Sequence, residues 1–243
     1  MNSETRRGAA IWRRGSFPAP PALLRIHAST TMKSICAQFR GIRGKTVIGL
    51  TGGAASGKSA ALGFFGKLGA FCVSTDELAK EVLTSPACYN KILQNFGSVV
   101  FLKDGSIDRK KLASEVFSDK SRRKRLESIL HPLILLRALS LIKKSHEKII
   151  IAEVPLLFEA GLEQCFALTV CVDAAYGKRL ERAAARGWSA GELKRRSAAQ
   201  LGAEEKAERA DIVIRNEGSL KELGKKVKRI YSFLKAGSGT QAG

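Results

Sequence analysis

The sequence predicts a three-layer α/β fold, with helices on both faces of a five-stranded parallel sheet. Two observations predict it. Five apolar runs, each too short for a helix, alternate with longer amphipathic stretches, the pattern of parallel strands joined by right-handed crossovers. The first run, Val47, Ile48 and Leu50, passes through small residues into helix-compatible Ala60 to Phe65. Strand, turn and helix therefore come in the order of a parallel βαβ unit.

The turn after the first strand carries the first chemistry. Gly52-x-x-x-x-Gly57-Lys58-Ser59 has the full phosphate-loop spacing, which places the chain among P-loop NTPase folds. Small residues let the backbone curl until successive N–H groups converge on an anion, and the helix that starts near Gly57 adds its positive end. Lys58 reaches the β- and γ-phosphates of ATP, and the Ser59 hydroxyl binds Mg²⁺. A glycine-alanine turn with a chance lysine is the competing reading; the strand context argues against it.

The second strand is Phe71 to Val73, and Asp76 opens the amphipathic helix behind it. That puts Asp76 at the carboxyl edge of the sheet, where open α/β folds bind ligands. A plain helix cap is the alternative. From about 77 to 146 the pattern is a helical insertion. Asp104-Gly105 marks a turn, Asp108 caps RKKLASEVF, and His131-Pro132 interrupts the next stretch, with Pro132 starting a new helix. KIIIAEV (148–154) is the third strand, and its Glu153 is an acid that burial would penalise unless it had a role. ALTVCVD (167–173) is the fourth. The basic helix that follows puts Arg179, Arg182 and Arg186 on one face, and SAGELKRRSAAQL puts Arg196 one turn from Gln200. ADIVIRN (210–216) is the fifth strand, LKELGKKVKRIYSFL a closing helix, and 237–243 a flexible tail.

Composition bounds the function. The 243 residues carry 42 Lys/Arg against 22 Asp/Glu, a net charge of +20. Residues 1–45 hold nine of the basic residues and one acid, so they carry +8 and the rest +12. Such a balance favours polyanionic partners. The 7% aromatic content, with no interleaving of basic and aromatic residues, argues against nucleic acid as the partner. No run approaches the roughly 18 apolar residues of a membrane span. Five cysteines without C-x-x-C spacing indicate reduced, buried thiols and no zinc site. Residues 1–44 are rich in Arg, Ser and Ala and nearly free of acid. They read as a poorly ordered extension, either an organellar targeting segment or sequence upstream of a start at Met32.

With these elements in order, residues 46–235 resemble the dephospho-coenzyme A kinase family. The likeness rests on IGLTGGAASGKS, STDELAK, DGSIDRKKLASEVFSDKSRRKRLESILHPLI, EVPLLFEAGL, and RSAAQ followed by EEKAERADIVIRN. The resemblance implies transfer of the ATP γ-phosphoryl group to the ribose 3′-hydroxyl of dephospho-CoA by a cytoplasmic monomer or weak oligomer. It implies a kinase domain over 45–236, with the acceptor held by the insertion and a small lid at about 186–204. It assigns Gly53, Ala54, Ala55, Ser56, Gly57, Lys58, Ser59 and Ala60 to the phosphate loop and Asp76 to acceptor activation. Arg196 falls on the lid arginine that meets the transferring phosphate. Arg182, Arg186 and His131 fall near the substrates, and Asn216 near the adenine.

The sequence departs from that pattern in places. The family usually has glycine at Ala55, threonine at Ala60, a second carboxylate at Ser74 and glutamine near Arg179. A nucleoside-monophosphate-kinase-like enzyme shares the loop and lid, but gives no reason for HPLI and PLLFEAGL.

Overall fold

The computed structural model describes residues 31–117 and 119–237. Its centre is a sheet of five strands: β1 (Thr46–Gly52), β2 (Phe71–Ser74), β3 (Ile149–Glu153), β4 (Leu168–Asp173) and β5 (Ile212–Arg215). The spatial order is β2-β3-β1-β4-β5, and every pair is parallel. β1, which leads into the phosphate loop, therefore sits in the middle, with Gly49 opposite Ala152 on one side and Thr169 on the other.

Side chains on β1 and β3 alternate between two cores, as the period of a strand requires. Ile48, Leu50, Ile149 and Ile151 pack toward α2 (Lys58–Lys67) and α10 (Leu220–Gly237). Val47, Ile150 and Ala152 pack toward the opposite layer. That layer comprises α3 (Thr75–Val82), α4 (Pro86–Phe96), α5 (Arg109–Phe117) and α6 (Lys120–Lys144). A sheet covered on both faces explains why the strands read as continuous apolar runs. The remaining helices, α7 (Tyr176–Ala184), α8 (Ala190–Ala198) and α9 (Ala203–Arg209), lie between β4 and β5 in sequence.

Three expectations need correction. First, residues 1–44 are not uniformly without structure: α1 (Met32–Arg40) is capped by Thr31, whose Oγ1 accepts from Ser34 N at 3.2 Å. It buries Ile35, Cys36 and Phe39 in the main core, with the Phe39 ring edge-on to Phe166 at 6.0 Å. The Arg/Ser/Ala bias hid a three-residue apolar stripe. Residues 1–30 and 238–243 lie outside the described residues. Second, Cys36 is bonded to Cys165 across 129 residues, while Cys72, Cys88 and Cys171 are free. The pairing depends on docking of α1, so spacing carried no trace of it.

Third, Pro132 does not divide the helix; it lies inside the 25-residue α6. An interior proline costs about 3 kcal/mol. Burial of Ile129 before it and Leu133, Leu135, Ala138, Leu139 and Ile142 after it in one core outweighs that cost, at about 1.5–3 kcal/mol per large aliphatic side chain. Elsewhere the turn chemistry holds. Asp104 Oδ1 accepts from Ser106 N at 2.9 Å with Gly105 at φ +83°, and Asp108 Oδ1 accepts from Lys110 N and Lys111 N to cap α5.

Candidate active site

The carboxyl ends of β1, β2 and β3 converge on one cleft. Gly52 to Gly57 form a buried loop, and Gly57, at φ +106°, is the residue before α2. Glycine is required there: a Cβ would collide with Asn216 Nδ2. The Ser56 carbonyl accepts from Asn216 Nδ2 at 2.8 Å and from Arg182 Nη1 at 3.3 Å, while Arg182 Nη2 donates to Asn216 O at 2.8 Å. Asn216 and Arg182 thus brace the loop from β5 and α7. Two residues assigned to ligands bind the chain itself, and they fix the loop that receives the ligand.

Lys58 Nζ donates to Gly52 O at 2.9 Å and Gly53 O at 2.8 Å. Burial lowers its pKa to about 8, with Glu153 pulling the other way. Glu153 ends β3 almost fully buried and accepts from Ser59 Oγ at 3.4 Å. Burial pushes its carboxyl above the ordinary value and Lys58 opposes the shift. A cationic donor and two oxygen ligands therefore face one another across the loop mouth. Among the described residues no group of three His, Cys, Asp or Glu could hold a metal alone. A hard cation here would need oxygen ligands from an anionic guest as well.

Asp76 lies in the first turn of α3, next to β2. It is not a cap: the residue preceding the helix is Ser74, and no side chain closes that end. The exposed carboxylate instead borders two spaces. One is the cleft lined by Ser59, Ser74, Glu77, Lys80 and Glu153. The other is a largely apolar cavity of about 380 Å³ between α3, α6 and the segment after β3, lined in part by Arg123, Glu127, His131, Pro155 and Leu162. Asp76 is the one residue common to both linings. His131 sits on the cavity wall, and burial holds its imidazole below the ordinary histidine pKa, with Glu127 opposing.

The residues of the expected lid are positioned differently from the loop residues. Arg196 Nε donates to Glu192 Oε1 at 2.7 Å and its guanidinium lies 4.2 Å from the centre of the Trp188 ring. Arg186 flanks the same ring at 5.9 Å. Neither donates a hydrogen bond to the phosphate loop. Leu193 of α8, fully buried, shares a small apolar cluster with Ala54 and Ala55 of the loop and Ala183 of α7. Ala60 packs against the core beneath α2.

Ala55 holds φ +59°, the one positive φ at a non-glycine among the described residues. That conformation costs about 1–2 kcal/mol, against about 0.8 kcal/mol for its buried methyl and about 0.5–1 kcal/mol of chain entropy that glycine would add. The terms nearly cancel, so Ala55→Gly is expected to move the urea-unfolding free energy by less than about 1 kcal/mol. A loss well beyond that would mean the methyl's place in the cluster with Leu193 matters more than the strain.

One residue at this site gave no signal in the sequence. Lys206, in the acid-rich segment EEKAER, reads as part of a solvated face. It is completely buried. Its Nζ donates to Pro155 O at 2.6 Å and pairs with Glu159 at 2.8 Å, and Glu159 in turn accepts from Leu201 N at 2.8 Å. It ties α9 and, through Glu159, the segment at Leu201 to the wall of the apolar cavity. Pro155 and Glu159 are more than 40 residues away in the chain, so only the fold reveals the role.

Comparison with known proteins adds to this geometry. A family model described as dephospho-CoA kinase matches residues 46–222. The dephospho-CoA kinase of Geobacter sulfurreducens is 39% identical over 191 residues, 76% of this chain and 97% of that protein. That of Fusobacterium nucleatum is 36% identical over 184 residues, covering 75% and 95%. Among solved structures, TT1252 from Thermus thermophilus superposes with a TM-score of 0.69 at 34% identity, over 78% of this chain and 98% of that one. Dephospho-CoA kinase from Campylobacter jejuni gives 0.58 at 26% identity, over 79% and 98%.

Proposed function

The chain belongs to the dephospho-CoA kinase family, and from that premise we propose how its residues carry the reaction. ATP lies in the phosphate loop, and dephospho-CoA enters the apolar cavity with its ribose 3′-hydroxyl at Asp76. The observation that carries this reading is that Asp76 borders both the loop-side cleft and the cavity. A carboxylate at that junction accepts the hydroxyl proton as the oxygen attacks phosphorus. Lys58 leaves the carbonyls of Gly52 and Gly53 for the phosphate chain, where its charge balances the negative charge of the transfer. Arg196 exchanges Glu192 for the transferring phosphate when the lid closes. Arg182 and Asn216 keep the loop amides aimed at their target, and Arg186 and His131 border the substrates.

Ser59 and Glu153, whose oxygens lie 3.4 Å apart, are the residues that would hold Mg²⁺ together with the nucleotide. The ion would offset phosphate charge. A cytoplasmic location and a monomeric or weakly associated state belong to the same proposal, since both substrates are water-soluble polyanions. A nucleoside-monophosphate-kinase-like activity is not favoured, because the family match spans the acceptor region as well as the loop.

ADP release coupled to a reporter tests the reading. Turnover is expected with Mg·ATP and dephospho-CoA, and none above background with nucleoside monophosphates. ATP-binding protein that is silent toward dephospho-CoA would overturn the acceptor assignment.

A further inference from the structure

Arg179 occupies an unusual place. It lies on α7, which follows β4 at the edge of the phosphate loop, and its Nη1 is 3.1 Å from where a side chain on Gly53 would project. Its Nε is buried without a hydrogen-bond partner. The guanidinium lies over the Tyr176 ring, 5.6 Å from its centre. No acid or carbonyl neutralises or accepts from it among the described residues. Arg182, one turn on along the same helix, is by contrast engaged by the carbonyls of Ser56 and Asn216.

A guanidinium has five donors and no acceptor; Arg179 is half-buried, and its Nε, out of water without a partner, carries a cost. Such a group beside an anion loop is completed by an anion. Its place suggests which part of a nucleotide it meets. The carbonyl of the same Gly53 holds Lys58 Nζ at 2.8 Å, and a phosphate-loop lysine serves the β- and γ-phosphates. Sheet order adds direction. Asp76 and Glu153 stand on the β2-β3 side of β1, whereas Arg179 comes from the β4 side. The phosphate chain thus has carboxylates and acceptor on one flank and this arginine on the other.

We infer that Arg179 is a ligand of the outer phosphates of the bound nucleotide, presented on the face of Gly53. The planar fork suits bidentate contact with phosphate oxygens, and stacking on Tyr176 holds it ready. The inference rests on the reading of the loop as an ATP site, but not on the identity of the acceptor.

The test is calorimetric binding of Mg·ATP, Mg·ADP and AMP to the wild type, Arg179→Gln and Arg179→Lys, with thermal midpoints measured alongside. Arg179→Gln is expected to weaken ATP by about tenfold or more, the effect of a charge-assisted hydrogen bond. AMP should stay within about twofold of wild type. Arg179→Lys keeps the charge without the fork and is expected to recover part of the loss. Folded Arg179→Gln that binds ATP as tightly as wild type overturns the inference, and so does an equal loss for AMP, which would place the contact away from the outer phosphates. If the glutamine variant does not fold, the lysine variant decides by the same comparison: weaker ATP with unchanged AMP supports it, unchanged ATP sinks it. Absence of turnover with dephospho-CoA, ATP binding being intact, would touch only the acceptor assignment.

Discussion

Asp76→Asn is expected to lower kcat with dephospho-CoA by at least about a hundredfold, the lower range for loss of a positioned general base. Mg·ATP binding should change little, and so should stability. The asparagine keeps size and shape but cannot take the hydroxyl proton. The structure separates this from a cap defect, because α3 is preceded by Ser74 and the Asp76 side chain closes no helix end. Exposure of the carboxylate means that no buried pair is broken, so the thermal midpoint should stay within a few degrees of wild type. Single-turnover ADP formation and calorimetric titration on the same preparation distinguish the outcomes. Turnover near wild type would reduce Asp76 to a surface carboxylate and leave the proton without its acceptor. Weakened ATP binding with unchanged chemistry would move its role to the metal.

The legible part of this chain is the part where chemistry and chain order coincide. The phosphate loop could be read because its glycines, lysine and serine lie within eight consecutive residues and each has a local job: left-handed backbone at Gly57, a cation at Lys58, a hydroxyl at Ser59. All five strands were visible because a doubly covered sheet demands unbroken apolar runs. Asp76 followed from its place just after a strand. What was not legible depends on distant partners. Arg182 and Asn216 have the residue types of ligands, yet each meets Ser56, 126 and 160 residues away. Lys206 needed Glu159 and Pro155 beside it before its charge had meaning. Pro132 was misread because a local rule about proline was set against a core that only the folded chain assembles.

Lys58→Met should have the largest effect on activity without destabilising the free protein at neutral pH. Loss of a preorganised charge aimed at the transferring group costs about a hundredfold to a thousandfold in rate, and weaker ATP binding comes on top of that in kcat/KM. In the free protein the same charge is a cost. The folded protein lowers the Lys58 pKa from 10.5 to about 8, with burial as the main cause, so the fold disfavours the charged form. Between about pH 8 and 10.5 the unfolded chain still holds this proton while the folded chain has released it. Stability then rises with pH across that window, since the unfolded state binds more protons. The methionine variant lacks that rise, and the difference between the two proteins in urea-unfolding free energy should therefore shift in favour of wild type from pH 8 upward. ATP affinity of the wild type should follow the opposite course. It needs the ammonium, and it should fall as the free protein's lysine is neutralised above pH 8, with the methionine variant weak and flat throughout. Parallel unfolding and binding series at pH 7, 8, 9 and 10 would read both trends. If the stability difference is flat while binding still falls, the lysine keeps its proton in the fold, and the cause of the binding loss lies with another group.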